Sequence, residues 1–281
     1  ILQPIPGGAT AKPFQTHFNA LNKDVYLRVA PELYLKRLLV GGFNKIFEIG
    51  KDFRNEGIDK DHYPEFTMLE LYCSYQDYEF LMKKTEEWLK ELVRKLNIGK
   101  VTIDGEEIDF MTEWPRIKFE DLIRKHAPDK MDKLHTPEID DVLKDIRPSL
   151  QEPVFVIDHP KEISPLAKET EEDSKFVERF QLIAGGTEIV NGFSELNNPL
   201  EQKERMQKQE ERYREGKEEV SRLDEDYIEA LEYGMPPAAG LGIGIERLTS
   251  LLTDTKSIKE VIPFTNLREK KEEKSQTKEN D

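Results

Sequence analysis

The sequence predicts an α+β fold built on a largely antiparallel β-sheet flanked by helices. Three observations carry that expectation. Strand-like runs come in hairpin pairs at 46–75, 100–110 and 175–196; helical periodicity falls between those pairs; and a glycine-punctuated strand-like run within 234–252 leads into an apolar helical stretch.

Taken in order, residues 46–56 and 65–75 read as paired strands, and the loop between them holds Gly57, His62 and Pro64, which suit a turn that cannot continue the ladder. Residues 78–97 place Leu81, Trp88, Leu92 and Leu96 at helical spacing with charges opposite, which predicts a surface helix packed on a core. KVTIDGEEIDF (100–110) sets Asp104-Gly105 between alternating runs and reads as a hairpin. Short helices are expected near 118–126 and 138–145, a buried strand at 154–158, and a second hairpin at 175–196 around Gly185-Gly186. Residues 200–232 mix charges around a thin apolar line of Met206, Tyr213, Val220 and Leu223, and so read as a solvated helix rather than an RNA-binding patch. The segment 269–281 has no apolar residue and is expected to be a disordered tail behind a catalytic unit spanning 1–268.

Composition narrows the function. The 281 residues carry a net charge of −15, which argues against a broad phosphate-binding surface and favours a cationic small substrate. No apolar run approaches the roughly 20 residues of a membrane span, and no basic-then-apolar leader opens the chain, so a cytoplasmic location is expected and no membrane partner. Cys73 has no partner cysteine and reads as an inert strand residue. The first residue is Ile1, which fits a processed chain or a fragment.

The charged motifs call for chemistry. In FRNEGIDKDHYPEFTMLELY (53–72), strand alternation puts Arg54 and Glu56 on one face of the first strand, and Phe66, Met68, Glu70 and Tyr72 on one face of the second. A core would not tolerate those charges unpaired, although a wet amphipathic hairpin is the plain alternative. In 175–196, a two-residue turn pairs Ile183 with Glu188 and leaves Gln181 diagonal to Glu188 on the same face, while Asn191, Phe193 and Glu195 fall on the opposite parity. Either those three face away, or a bulge near Val190–Gly192 turns them inward. In GMPPAAGLGIGIERLTSLL (234–252), Gly240, Gly242 and Gly244 bare one strand face, which suits either a flat ligand or tight helix packing.

Together, FRNEG...HYPEFTMLELY resembles motif 2, and GLGIGIERL motif 3, of the class II aminoacyl-tRNA synthetases. GGATAKPF (7–14), RVAPELYLKRL (28–38) and EIVNGFSELN (188–197) resemble, more narrowly, the class II lysyl-tRNA synthetases. The similarity covers about residues 7–268. Aspartyl and asparaginyl relatives share the layout but are not expected to carry APELYLKR followed by NGFSELN. A shorter relative that lysylates a translation factor departs from the GGATAKPF and FRNEGI wording.

The resemblance implies activation of L-lysine by ATP and transfer to the 3′ end of tRNA(Lys), with Mg2+ bound to the nucleotide. It implies Arg54 and Arg247 as the catalytic cations, with Glu56, His62, Phe66, Glu188 and Gly244 completing the ATP site; Phe66 and Arg247 would sandwich adenine. For lysine it implies Glu32 at the α-amino group, Asn191 and Arg54 at the carboxylate, and Glu195, Tyr72 and Glu70 at the ε-ammonium, with Gly8 and Phe193 lining the pocket. Glu188 would be the chief metal ligand, with Gln181 standing where the family has a second glutamate and Asn198 where it has aspartate. Weaker metal binding or slower activation is expected from Gln181. The family's motif 1 and anticodon-binding barrel would precede residue 7, and with motif 1 the surface of the family's homodimer. A non-catalytic paralogue that senses ATP or lysine, and an enzyme that lysylates another acceptor, are the competing expectations.

Overall fold

The computed structural model describes residues 1–98, 100–103, 105–215 and 222–266. The expected tail, Val220 and Asp104 lie outside the described residues.

A small sheet opens the chain, from β1 (Leu2–Gln3), β2 (Gln15–Phe18) and β3 (Lys23–Leu27), followed by helix α1 (Glu32–Val40). Then come β4 (Lys45–Phe53), β5 (Glu65–Ser74), α2 (Tyr78–Lys95), the hairpin β6 (Val101–Ile103) and β7 (Glu106–Ile108), β8 (Arg116–Lys118), α3 (Phe119–His126) and α4 (Ile139–Ile146). The second half supplies β9 (Val154–Pro160), β10 (Phe176–Ala184), β11 (Thr187–Ser194), α5 (Pro199–Arg214), α6 (Glu225–Glu232), β12 (Ala238–Gly244) and α7 (Ile245–Thr253).

Seven strands form the main sheet in the order β4-β5-β12-β11-β10-β9-β8. Its pairs are antiparallel except β8 with β9, so the expected α+β architecture is present. Alternation splits each strand between two faces. Leu241, Ile243, Leu182, Val190 and Phe155 point to one face, where Leu81, Met82, Leu89 and Val93 of α2 and Leu248 and Leu251 of α7 complete the main core. Burying each such side chain contributes about 1.5–3 kcal/mol. On the other face, α1 and α6 cover one end around Leu33, Tyr227 and Leu231, and α3 and α4 cover the other around Phe119, Ile139 and Leu143. Between those two clusters the sheet lies open as a cleft.

The buried stripe of α2 departs from the expected one. Leu81, Met82, Thr85, Leu89 and Val93 are buried, whereas Trp88 is 41% exposed and Leu96, just past the helix end, 53%. The longer run of (i, i+4) neighbours determined which face packed. Among its described residues, the charged stretch 200–232 contributes α5 and α6, with Met206 buried and Tyr213 exposed. Asn198 caps α5 by accepting from the backbone N–H groups of Leu200 and Glu201, a role asparagine and aspartate fill about equally well. Among the described residues, no helix is long and apolar enough to cross a membrane.

Candidate active site

Sheet register decides which side chains meet in the cleft. Glu70 of β5 lies opposite Gly242 of β12, which lies opposite Asn191 of β11, which lies opposite Gln181 of β10. One register step away, Tyr72, Gly240, Phe193 and Arg179 make a parallel row. The parity conflict of the 175–196 hairpin is resolved by a register shift: Ile183 pairs with Glu188 as expected, but Leu182 pairs with Val190. Ile189 is therefore the extra residue, slightly earlier than expected, and it lets Glu188 and Asn191 share the cleft face. A second register shift, between Val177 and Phe180 of β10, sets two residues opposite Asp158 of β9, whose φ of +54° is strained for a residue with a side chain. It turns His159 onto the cleft side, against the Phe119 ring and the Gln181 amide.

The cavity so formed has a volume of about 540 Å³, within the range of small-molecule sites. Gly8, Glu32, Arg54, Glu56, His62, Phe66, Glu70, Tyr72, Gln181, Glu188, Asn191, Phe193, Gly244 and Arg247 all line it. Arg54 and Glu56 reach it from a loop rather than a strand face, because β4 ends at Phe53.

One end is acidic. Glu70 is buried and accepts a hydrogen bond from the Tyr72 hydroxyl at 2.8 Å. Burial first, and then the charge of Glu32, push its carboxyl well above the usual range. Among the described residues no cation forms an ion pair with it. Glu195 behaves differently from the expectation: it does not line the cavity, its side chain is wholly buried, and the Lys36 ammonium holds it at 2.6 Å. Gly240 lines the cavity and also serves packing, since a Cβ there would lie 2.3 Å from the Tyr72 ring and 2.5 Å from Glu195 Oε1. Beside Gly242 and Gly244 the backbone is less crowded, the nearest atoms being Met68 Cε at 3.3 Å and Arg247 Cδ at 3.5 Å.

The other end is basic. The Arg54 guanidinium lies 5.0 Å from the Phe66 ring, and its buried Nε has no hydrogen-bond partner. Arg247 donates to the carbonyls of Asp61 and Glu188 and meets His62 Nε2 at 3.2 Å, tying the loop after β4 to the middle of the sheet. Phe66 and Arg247 both line the cavity, with Arg54 against the Phe66 ring. Asn191 Oδ1 accepts from Arg179 Nε at 2.9 Å, which leaves its amide N–H groups for an acceptor in the cleft.

Among the described residues, no group of three or more His, Cys, Asp and Glu side chains is placed to hold a metal. Glu188 Oε2 accepts from Arg147 at 2.7 Å and from the Gln181 amide nitrogen at 2.8 Å. The Gln181 oxygen is turned to His159 Nε2 at 3.2 Å. This donor set fits a magnesium ion held by one carboxylate, with phosphate and water oxygens as its other ligands. It does not fit Gln181 as a second ligand in the orientation observed.

Sequence reasoning missed Lys36, Arg147, Arg179 and His159. Lys36 had a local signal, its (i, i+4) spacing from Glu32 on one helix. Arg147, in a short 3₁₀ turn after α4, and His159, placed by a strained residue, had none.

A family model described as tRNA synthetases class II (D, K and N) matches residues 1–268. The lysine–tRNA ligase of Pelotomaculum thermopropionicum is 49% identical over 290 residues, covering 94% of this chain and 57% of that protein. Those of Thermotoga maritima and Syntrophomonas wolfei are each 46% identical, covering 98% and 97% of this chain and 59% and 60% of theirs. The chain thus spans somewhat under two-thirds of the length of these relatives. With the family match extending across the whole sheet and both ends of the cleft, the chain belongs to the class II (D, K and N) tRNA synthetases.

Proposed function

We propose that this chain is the catalytic unit of a lysine–tRNA ligase, which activates L-lysine with ATP and passes the lysyl group to the 3′ end of tRNA(Lys). The observation that carries this reading is Glu70, a buried carboxylate with a phenol donor and, among the described residues, no ion-pair partner, facing a cavity whose other end presents Arg54 and Arg247. A buried carboxylate is costly without a positive partner, and an ammonium on a long side chain supplies one. A neutral side chain of similar shape would leave Glu70 unpaired and would be rejected.

In this reading Glu32 holds the α-amino group and the Asn191 amide donates to the carboxylate. Arg54 bridges that carboxylate and the α-phosphate, neutralising charge as a carboxylate oxygen bonds to phosphorus and the bond to the pyrophosphate oxygen breaks. Phe66 gives adenine a stacking surface, and Arg247 and His62 face the outer phosphates. Magnesium, when bound, offsets phosphate charge and would be held by Glu188. Family relatives named lysine–tRNA ligases support the choice of lysine.

The test is lysine-dependent ATP–pyrophosphate exchange with saturating lysine and magnesium. Exchange with lysine but not with arginine or aspartate is the expected result, and its absence would remove the enzymatic claim for this chain. One observation favours a second reading, a lysine- and ATP-binding protein without catalysis: Glu188 is already engaged by Arg147 and by an amide rather than partnered by a second carboxylate. That reading expects binding of both ligands without exchange. Charging assays with tRNA and with protein acceptors then identify what receives the lysyl group.

A further inference from the structure

The nucleotide end of the cleft holds a cation that the proposed reaction leaves unused. Arg147 lines the cavity and donates through one guanidinium nitrogen to Glu188 Oε2 at 2.7 Å, while its buried Nε has no hydrogen-bond partner among the described residues. Glu188 also accepts from Arg247, through its backbone carbonyl, at 3.3 Å. One residue of β11 therefore stands between two guanidiniums, and Arg247 already faces the outer phosphates in the reading above.

Backbone contacts hold Arg147 in that place. It opens a 3₁₀ turn, Arg147–Ser149, and the turn between β10 and β11 docks beside it: the N–H groups of Gly185 and Gly186 donate to the carbonyls of Gln151 and Leu150 at 2.8 and 2.9 Å. A Cβ on Gly186, whose φ is +71°, would lie 3.0 Å from Pro148 Cα, so a side chain there would force the two segments apart. The hairpin carrying Glu188 and the turn carrying Arg147 thus move as one unit. Neighbouring cations are committed elsewhere. Arg179 donates to Asn191 Oδ1, the Ile163 carbonyl and Ser164 Oγ, and Lys144 is paired with Asp140 and Asp141 of its own helix.

Glu188 and Arg147 together carry no net charge, and the Gln181 amide beside them adds none. A divalent cation is drawn by uncompensated carboxylates, and this carboxylate is compensated from within the fold. A phosphate, in contrast, meets a fixed guanidinium whose planar fork matches its oxygens.

We infer that Arg147 is a built-in phosphate-binding cation of the nucleotide end: fixed against Glu188, it supplies positive charge to the outer phosphates of ATP, so this chain takes up ATP with only weak dependence on magnesium. The inference rests on the ATP-binding reading of the cleft and goes beyond it, since it moves part of the charge neutralisation from the metal ion to a side chain.

The experiment measures ATP affinity by calorimetry in excess magnesium and in excess EDTA for the wild-type chain, Arg147→Met and Arg147→Lys, with folding followed by circular dichroism. In the wild type, removing magnesium is expected to weaken ATP binding by less than about tenfold. Arg147→Met is expected to lose about tenfold or more of the affinity in EDTA, as when a charge-assisted contact is lost. It should lose much less in magnesium, because the freed Glu188 can then hold the ion. Arg147→Lys keeps the charge and is expected to stay closer to the wild type in EDTA. Lysine affinity should remain within about twofold in both variants.

A wild type that binds ATP in magnesium but not in EDTA overturns the inference and leaves the functional reading standing. So does an Arg147→Met chain whose two affinities fall by the same factor, or an Arg147→Lys chain as weak in EDTA as Arg147→Met. Failure of both variants to fold assigns Arg147 to the fold alone and overturns it as well. A wild type that binds ATP in neither condition defeats the functional reading and this inference together.

Discussion

Glu70 bears a large electrostatic cost in the cleft. Burial and the nearby Glu32 charge raise its carboxyl well above the ordinary range, so the ligand-free site favours a proton there. For folding the sign follows directly: a carboxyl whose folded pKa is raised contributes stability below the unfolded value and loses it as pH rises through the folded one. An ammonium beside Glu70 lowers its pKa again, so lysine binding is expected to release a proton and to weaken as pH falls through the ligand-free value. Calorimetry in buffers of different ionisation heats should show that release for the wild type and none for Glu70→Gln. The variant is expected to lose about 1.5–3 kcal/mol of lysine binding. Buffer-independent heats in the wild type would show that Glu70 does not meet the ammonium. The types of residue at this end were legible in the sequence, because a phenol and three acids stand at readable spacings around a resembling motif. Their division of labour was not. That Glu195 is already ion-paired depends on Lys36, and nothing in EIVNGFSELN reports the position of a side chain on α1.

At the scale of single elements, β12 separates two uses of glycine that the pattern GLGIG presents alike. A Cβ at Gly240 would sit 2.3 Å from a Tyr72 ring carbon, and the ring is buried against α1 and α6, so backbone or ring must move. At Gly242 the nearest atom is the flexible end of Met68 at 3.3 Å. Gly240→Ala is therefore expected to cost about 1–3 kcal/mol in urea unfolding and Gly242→Ala within about 0.5 kcal/mol. Equal costs would contradict the packing role of Gly240. The hairpins were readable, since turn residues and alternation are local properties of the chain. The bulge at Ile189 and the strained Asp158 were not, because inserting one residue into a ladder depends on the partner strand. The same reason explains why β4 stops before Arg54: where the partner leaves the ladder is a tertiary fact. The stripe of α2 shows the opposite limit, since the pattern contained two competing faces and packing against β10 to β12 selected one.

Across the whole molecule, the net charge of −15 describes the surface and not the cleft, where an acidic end and a basic end lie side by side on the central strands. His62 and Arg247, in contact at 3.2 Å, are 185 positions apart in the chain, so the cleft exists only when the full sheet is paired. Ligands that bind there bind the folded state alone, and each should stabilise the entire sheet. At about 100 times its dissociation constant a ligand adds about 2.7 kcal/mol, which for a chain of this size raises the melting temperature by about 5–10 °C. Lysine and ATP are each expected to produce such a shift, and together at least the sum of the two, because Arg54 faces both ends of the cavity. Glu70→Gln should abolish most of the lysine shift and keep the ATP shift, while Arg247→Ala should do the reverse. If either variant lost both shifts together, the two ends of the cleft would not be independent sites on a common scaffold. If the lysine shift survived Glu70→Gln, the acidic end would be recognising something other than an amine.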